Sequence, residues 1–274
     1  MNKRTILKTI ATTSGLDRVY WRHFKYRIGK TFNESNLVWH VLDAKNKKGV
    51  MIDVGVHYGE SAGVYLVRGW EVFGFEPDRS NRKAEILGSI EKRFKRFHLY
   101  DYAVSDSDGD KVKFYTSKES TGISSIVSFH DSHQSIGEVE TIRLDTFIGR
   151  NCIPKIDLLK IDTEGNDLAV LHGFPFDDYL PSIIECEFED RKTKNKGISY
   201  KDIGDFLLSK GYLVYMSEWY PIKRYGAAHK WREIKLYPCK TKSPDSWGNF
   251  LAVSSEFNGK FLECLSGLYG IDIS

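Results

Sequence analysis

The sequence lacks the features that mark several large classes of protein. No apolar run reaches the roughly 18 residues that a membrane-spanning helix requires. The basic N-terminus is not followed by a sustained apolar segment and a small-residue cleavage site, so we do not interpret it as a signal peptide. The formal net charge is only +3. This small excess argues against a dedicated nucleic-acid-binding protein, which usually carries a strong basic bias.

Paired cysteines, internal repeats and low-complexity linkers are also missing. The four cysteines lie far apart and form no CxxC pair: Cys152, Cys186, Cys239 and Cys264. This spacing argues against a zinc site and a disulfide framework, and it indicates a reducing compartment such as the cytoplasm. A hydrophobic fraction of 41% is enough for a large core. We therefore expect one domain with additions.

The N-terminal part of the chain differs in composition from the rest. Residues 1–48 are rich in lysine, arginine and aromatic side chains and predict a helical extension, and residues 49–274 form the main domain. One interpretation is a helix that packs its aromatic side chains against that domain. The other is a basic surface helix that contacts a membrane or a lipid-linked substrate.

From residue 50 onward, strand patterns alternate with helix patterns. This alternation predicts an α/β domain with a Rossmann-like, doubly wound and mostly parallel sheet, covered by helices on both faces. The predicted strands are 50–55, 70–77, 96–106, 155–162, 181–190, 212–219 and 247–256. The predicted helices are 61–69, 79–94, 166–174 and 200–212.

The first predicted strand ends in a glycine-containing turn, DVGVHYG, at residues 53–59. Ligands of such sheets bind at the carboxyl ends of the strands, and glycine lets backbone N–H groups approach them closely. Glu76 ends the second strand 23 positions after Asp53, where a carboxylate can accept hydrogen bonds from both hydroxyls of a ribose. The turn contains neither the GxGxxG dinucleotide fingerprint nor a P-loop. Its acidic start would repel a pyrophosphate but can pair with an ammonium group, which favours S-adenosylmethionine over NAD.

Several segments together resemble one known family. IDLLKIDTEGNDLAVLHGF at residues 156–174 is the strongest, and MIDVGVHYGE, VFGFEPD, YAVSDSDGD and TIRLDTFI support it. They resemble the FkbM-type methyltransferases, a branch of the class I S-adenosylmethionine-dependent methyltransferases. The resemblance runs from about residue 50 to 188, and more faintly to 253. It departs from the usual pattern in the first glycine loop, at Val56-His57-Tyr58.

The resemblance implies a set of cofactor-binding residues, with residues 101–104 beside the adenine. The set comprises Asp53, Gly55, His57, Gly59, Ser61, Glu76, Pro77, Asp101, Ala103 and Asp162. Asp162 would lie beside the transferred methyl group and the acceptor. The alternative for Asp162 and Glu164 is structural, namely the cap and acidic first turn of the following helix.

Three further acids, Glu185, Glu187 and Glu189, alternate along one strand, so their side chains share one face. The pattern has three interpretations: a solvent-facing strand surface, a clamp for substrate hydroxyls, or a divalent-metal site built from oxygen ligands. A parallel sheet would bring Glu185 or Glu187 near Asp162. We predict Asp162 as the catalytic base, with Glu187, Glu185 or His57 as substitutes. Because no metal ligand set is complete in the sequence, we favour a base that works without a metal.

Two polar or aromatic segments remain. A polar loop at the cofactor entrance is predicted around His130 and His133, near the hydroxyl-rich residues 121–125. The two histidines do not suffice for a metal site, which would need a third ligand. Residues 217–248 carry several tryptophans and tyrosines and predict either a platform for sugar rings or a structural hairpin at the sheet edge.

The expected activity is methylation of a carbohydrate hydroxyl by S-adenosylmethionine. A hydroxyl is a poor nucleophile at neutral pH, so a base or a cation should assist it. One rival is a methyltransferase that acts on a small natural product. The other is a non-catalytic Rossmann-like binding module in a glycan-assembly complex.

Overall fold

A computed structural model describes residues 32–44, 46–82, 85–223 and 229–273. Most of the predicted N-terminal extension, residues 1–31, lies outside the described residues, so the division at residue 48 stays a prediction. The described part of the extension contains helix α1, Glu34–Val41, which Asn33 caps by accepting a hydrogen bond from the Asn36 backbone N–H. No helix within the described ranges is long and apolar enough to cross a membrane.

The centre of the molecule is an eight-stranded sheet. Its strands are β1 Val50–Val54, β2 Glu71–Phe75, β3 Phe97–Tyr100, β7 Leu158–Ile161, β8 Ile183–Glu189, β9 Leu213–Trp219, β10 Trp231–Leu236 and β11 Trp247–Val253. They are arranged in the order β10-β9-β11-β8-β7-β1-β2-β3. The five strands from β8 to β3 run parallel, whereas β11 pairs antiparallel with both β8 and β9. The predicted mostly parallel, Rossmann-like sheet is confirmed.

A smaller sheet divides the third predicted strand. Its strands are β4 Ala103–Val104, β5 Lys111–Ser117 and β6 His133–Ile142, in the order β4-β6-β5. β3 pairs with β2, but Ala103 and Val104 pair with Thr141 and Ile142 of β6. The prediction of one strand over residues 96–106 is therefore wrong. The local pattern is extended throughout, and only pairing partners far away in the chain separate the two halves.

Helices cover both faces of the large sheet. They are α2 Glu60–Leu66, α3 Arg79–Arg82, α4 Glu85–Arg93, α5 Leu144–Asn151, α6 Asp167–His172, α7 Asp190–Thr193, α8 Tyr200–Ser209 and α9 Ser255–Tyr269. One apolar cluster contains side chains of α5, α6 and α8, and the other contains side chains of α1, α2, α4 and α9. Along β1, Ile52 and Val54 belong to the first cluster and Met51 to the second. Asp53 shares the Met51 face, because side chains alternate along a strand.

Candidate active site

A cleft opens at the carboxyl ends of β1, β2 and β7. From β1 the chain continues to β2 and β3 on one side, and later to β7 and β8 on the other. Such a switch point is where open α/β sheets bind ligands. The cleft holds ≈ 790 Å³ of free space, which includes the part that is open to solvent.

Backbone atoms of the first glycine turn form one wall of this cleft. Gly55 has a φ of 88°, and a Cβ at this position would lie 1.9 Å from the carbonyl oxygen of Asp162. Only glycine fits here, since a side chain would collide with backbone. The N–H groups of Gly55 and Val56 donate to the carbonyl of Phe75, at 3.0 and 3.1 Å. The turn is therefore held against the end of β2.

Glu76 lies at the end of β2, and its carboxylate connects two backbone segments. It accepts one hydrogen bond from the His57 N–H and another from the Asp78 N–H, both at 2.8 Å. Burial raises the pKa of Glu76 to about 7, although these hydrogen bonds oppose the shift. Glu76 borders the cleft, so it lies where its predicted role as a ribose ligand requires.

Asn81 is a cleft residue that the sequence did not reveal. It is 1% exposed and borders the cleft, and its side chain hydrogen-bonds to Glu76. Its Oδ1 has no hydrogen-bond partner among the described residues. Buried acceptors are nearly always paired in native proteins. A ligand that brings a hydroxyl donor to this corner, as the ribose of an adenosine does, therefore fits the residues present.

The predicted cofactor residues divide into two groups. Those that border the cleft are Gly55, His57, Glu76, Pro77, Ala103 and Asp162. Those outside its lining are Asp53, Gly59, Ser61 and Asp101. The lining also contains residues that were not predicted as ligands, among them Asn81, Phe114, Glu164 and Asn166. Ser124 and Ser125, whose hydroxyls were noted in the sequence, border it as well.

Asp53 lies outside the cleft because it points to the other face of the sheet. It is fully buried, and the Ala62 backbone N–H provides a hydrogen bond to its carboxylate. Burial raises the pKa of Asp53 to about 6, and the charge of Lys160 opposes part of this shift. The structure thus places Asp53 near the charge of a buried lysine and outside the lining of the cleft.

Three carboxylates meet at the acidic end of the cleft, and we call them the acid cluster: Asp162, Glu164 and Glu187. Each offers an oxygen within 4.8 Å of the others. Asp162 and Glu164 border the cleft, whereas Glu187 is not part of its lining. The ammonium of Lys192 contacts Glu164 Oε2 at 2.6 Å and Glu187 Oε2 at 2.7 Å. The sequence-based expectation that β8 brings a glutamate near Asp162 agrees with this arrangement.

The alternating acids of β8 do not face solvent. Glu185, Glu187 and Glu189 are between 5 and 7% exposed, so the solvent-facing alternative is wrong. Two buried lysines provide the compensating charge. Lys192 also reaches Glu189 Oε2, at 3.1 Å. The charge of Lys160 acts on Glu185, whose pKa is nevertheless raised to about 7 by burial.

The structural alternative for Asp162 is also wrong. The helix after β7 begins at Asp167, and Asn166 occupies its N-cap position. The Asp167 carboxylate accepts hydrogen bonds from the N–H groups of Thr163 and Gly165, at 2.9 and 3.1 Å. Asp162 instead pairs with Lys160, whose Nζ lies 3.1 Å from Asp162 Oδ2. Asp162 is therefore free of any capping role.

His57 lies in the cleft in a left-handed conformation, with a φ of 52°. Burial lowers its pKa, although the acids around it, including Asp162, oppose the shift. A neutral imidazole at this place can accept a proton. At the start of β6, His133 Nε2 contacts the carbonyl of Ile123 at 2.9 Å, and in the loop before it His130 Nδ1 contacts the Ser132 hydroxyl at 2.7 Å. Both rings form hydrogen bonds within residues 123–133. This agrees with the interpretation of the segment as a polar loop.

Two tryptophans of the aromatic segment support the sheet edge and lie outside the cleft lining. Trp231 stacks on Phe32 with ring centroids 4.4 Å apart. Trp219 donates from its indole N–H to Glu34 Oε1, at 2.6 Å. Both lie in the β9–β10 hairpin, so their contacts match the structural alternative. Residues 224–228 of this segment lie outside the described residues.

We expect Trp231→Ala to destabilise the fold and leave the affinity for S-adenosylhomocysteine unchanged. The substitution removes the stacking on Phe32 and the hydrogen bond from the indole to the Ser217 hydroxyl. The expected loss is about 1–3 kcal/mol of unfolding free energy. Urea unfolding and calorimetric titration measure the two quantities. A stable variant with weakened ligand binding would instead assign Trp231 to the site.

Comparisons with known proteins identify a family. A family model described as "Methyltransferase FkbM domain" matches residues 53–214. No curated protein matches the chain. The chain is similar to the solved structure of a magnesium protoporphyrin IX methyltransferase from Synechocystis with bound SAH. The identity is 13% over 93% of this chain and 100% of that chain, with a TM-score of 0.41.

Two further solved structures are similar at the same level. An O-methyltransferase from Bacillus cereus in complex with SAH is 13% identical over 89% of this chain and 91% of that chain, with a TM-score of 0.41. Precorrin-6y C5,15-methyltransferase from Geobacter metallireducens is 10% identical over 82% of this chain and 93% of that chain, with a TM-score of 0.40. Likenesses at this level are too distant to assign an acceptor.

Proposed function

The chain belongs to the family of FkbM methyltransferase domains and is an S-adenosylmethionine-dependent methyltransferase, and we propose that its acceptor is a hydroxyl group of a carbohydrate. The acid cluster at the end of the cleft carries this proposal. Carboxylates accept hydrogen bonds from hydroxyl groups, and they repel anionic acceptors such as phosphates and carboxylates. A neutral molecule with several hydroxyls suits such a wall best.

The cleft residues fit the cofactor. Glu76 and Asn81 would hold the ribose hydroxyls, the Gly55 turn would lie against the amino-acid part, and Ala103 would lie beside the adenine. When bound, the cofactor supplies a methyl group on a positively charged sulfur. The protein has to hold the acceptor oxygen behind that methyl group at about 3 Å and exclude competing water. Asp162 and Glu164, which border the cleft, are near enough to orient the acceptor hydroxyl.

Two other functions predict different results. A methyltransferase of small natural products would accept phenols or macrocyclic alcohols and ignore simple sugars. A non-catalytic module would bind the cofactor and methylate nothing.

We also propose that residues 1–31, which lie outside the described residues, are the part of the chain that would contact a membrane carrying a lipid-linked acceptor.

The test has a binding arm and a transfer arm. S-adenosylhomocysteine at about 100 times its Kd should stabilise the native protein by about 2.7 kcal/mol and raise its Tm, whereas NAD at the same concentration should not. A panel of methyl glycosides, together with catechol and a macrocyclic alcohol, is then incubated with methyl-labelled S-adenosylmethionine. Labelled methyl glycosides support the proposal. Transfer to the other acceptors alone supports the natural-product rival, and binding with no transfer supports the binding module.

A further inference from the structure

Two of the three carboxylates of the acid cluster, Asp162 and Glu164, border the cleft, and their electrostatic surroundings differ. The charges of two lysines act on Asp162, with Lys160 in direct contact at 3.1 Å. Among the described residues, Glu164 forms its ion pair with Lys192, and that ammonium also contacts Glu187 and Glu189. Arg191 adds a second positive charge, with its Nε 3.6 Å from Glu189 Oε1. Two cations among three carboxylates still leave an excess of negative charge, so a proton on Glu164 relieves repulsion. A proton on Asp162 would instead weaken a favourable ion pair.

The pKa values agree with this division of charge. Burial raises the pKa of Asp162, but the charges of Lys160 and Lys192 outweigh it, so the pKa lies below its usual value. Burial also raises the pKa of Glu164, and the negative charges of Asp162 and Glu189 add to the effect. Lys192 offsets these contributions only in part, which leaves a pKa of about 8. Adjacent acids whose pKa values differ in this way have distinct proton-transfer roles in known enzymes.

The backbone holds Glu164 in place. Its φ of 60° is in the left-handed region, which residues other than glycine seldom adopt. The hydroxyl of Ser125 donates to the carbonyls of Thr163 and Glu164, at 3.1 and 3.0 Å. A Cβ on Gly165 would lie 3.1 Å from Lys192 Cβ, so the turn packs closely on that residue. Strained residues with such support are characteristic of functional sites.

We propose that Glu164 is the catalytic base that accepts the proton of the acceptor hydroxyl. This inference rests on the proposed function and names a residue that the sequence analysis left between a structural and a functional role. The acceptor oxygen forms a bond to the methyl carbon while the methyl–sulfur bond breaks and leaves its electron pair on sulfur. The hydroxyl proton moves to the Glu164 carboxylate. Asp162 stays ionised beside Lys160 and orients the acceptor.

The test compares Glu164→Gln with Asp162→Asn, and with Glu138→Gln as an exposed control on β6. With the best methyl glycoside, Glu164→Gln should lower kcat by about 10²–10⁴-fold, the usual contribution of general base catalysis. The Kd for S-adenosylhomocysteine should stay within about twofold, because the amide keeps the shape of the side chain. The decrease in kcat that Asp162→Asn causes should be at least tenfold smaller than the decrease that Glu164→Gln causes. The wild-type kcat should rise with pH up to about 8, and Glu164→Gln should lose this dependence.

A second measurement needs no acceptor. Carboxyl ¹³C NMR of the whole protein, with Glu164→Gln and Asp162→Asn to assign the signals, should show Glu164 titrating several pH units above Asp162. Lys192, Asp162, Glu187 and Glu189 are the charged groups near Glu164, so the signals of the three carboxyl groups should shift together with that of Glu164. If no glycoside is methylated, the proposed acceptor fails, but the NMR comparison still tests Glu164. Glu164→Ala, which also removes the carboxyl group, serves if Glu164→Gln does not fold.

Three results would overturn the assignment. The first is a folded Glu164→Gln or Glu164→Ala enzyme that keeps more than a third of the wild-type kcat. The second is an Asp162 carboxyl that titrates above Glu164. The third is activity that disappears with a strong chelator and returns with Mg²⁺ or Mn²⁺, since the acid cluster would then hold a cation and not a proton.

Discussion

Replacing Lys192 with methionine should lower the free energy of unfolding by about 3–5 kcal/mol near pH 8, the usual cost of removing one partner from a buried ion pair. The side chain of Lys192 is 2% exposed and contacts Glu164, Glu187 and Glu189. Methionine preserves most of the apolar stem but removes the ammonium that pairs with Glu164 and Glu187. It leaves Glu189 with Arg191, whose Nε lies 3.6 Å from Glu189 Oε1. Urea unfolding monitored by circular dichroism measures the loss.

The loss in the Lys192→Met protein should depend on pH. Burial already raises the pKa values of Glu164 and Glu187 in the native protein, and loss of the ammonium raises them further. The native state then binds more protons than the unfolded state above about pH 4.5, so stability falls as the pH rises towards 8. The defect should be smaller at pH 5 than at pH 8.

Lys155→Met is the matched control for this experiment. The side chain of Lys155 is 60% exposed and pairs with Asp157 at 3.0 Å. Exposed ion pairs contribute only about 0–1 kcal/mol, so this variant should unfold almost like the wild type. A Lys192→Met protein that loses less than about 1 kcal/mol, or loses the same amount at both pH values, would show that the carboxylates do not depend on this charge.

The second large effect concerns Glu76→Ala, which should weaken binding of S-adenosylhomocysteine by about 10–100-fold. A hydrogen bond to a charged group contributes about 1.5–3 kcal/mol, and 1.4 kcal/mol corresponds to a factor of ten in Kd. The substitution also removes the acceptor for the His57 and Asp78 N–H groups, which shape the cleft. Isothermal titration calorimetry measures the affinity directly.

Two comparisons separate the ribose contact from general damage. Glu71→Ala removes a carboxylate from the same strand, where Glu71 pairs with Arg96 and His98 away from the cleft. Its Kd should equal that of the wild type. Glu76→Gln keeps the size and one acceptor oxygen and should bind with intermediate affinity. A folded Glu76→Ala protein with normal affinity would remove Glu76 from the cofactor site.

Much of the site's framework was predictable because it depends on neighbouring residues in the chain. The alternation of strand and helix patterns, the turn at Gly55 and the acid at Glu76 follow from spacing over a few residues. These features are sufficient to predict a Rossmann-like sheet with a cleft at the ends of β1 and β2. Asn81 was not predictable, because the sequence around an asparagine in a short helix does not indicate whether its side-chain oxygen is buried and unpaired.

The sequence by itself determined the class of fold, the position of the glycine turn and the presence of acids after β7 and along β8. The tertiary structure decided which charges meet. Lys160 faces Glu185 through the register of β7 and β8, and α7 returns Lys192 to the acids of β8. Electrostatic pairing depends on distance through space, whereas sequence patterns report only distance along the chain. The different environments of Asp162 and Glu164, and the separation of Asp53 from the cleft, therefore appeared only in the folded chain.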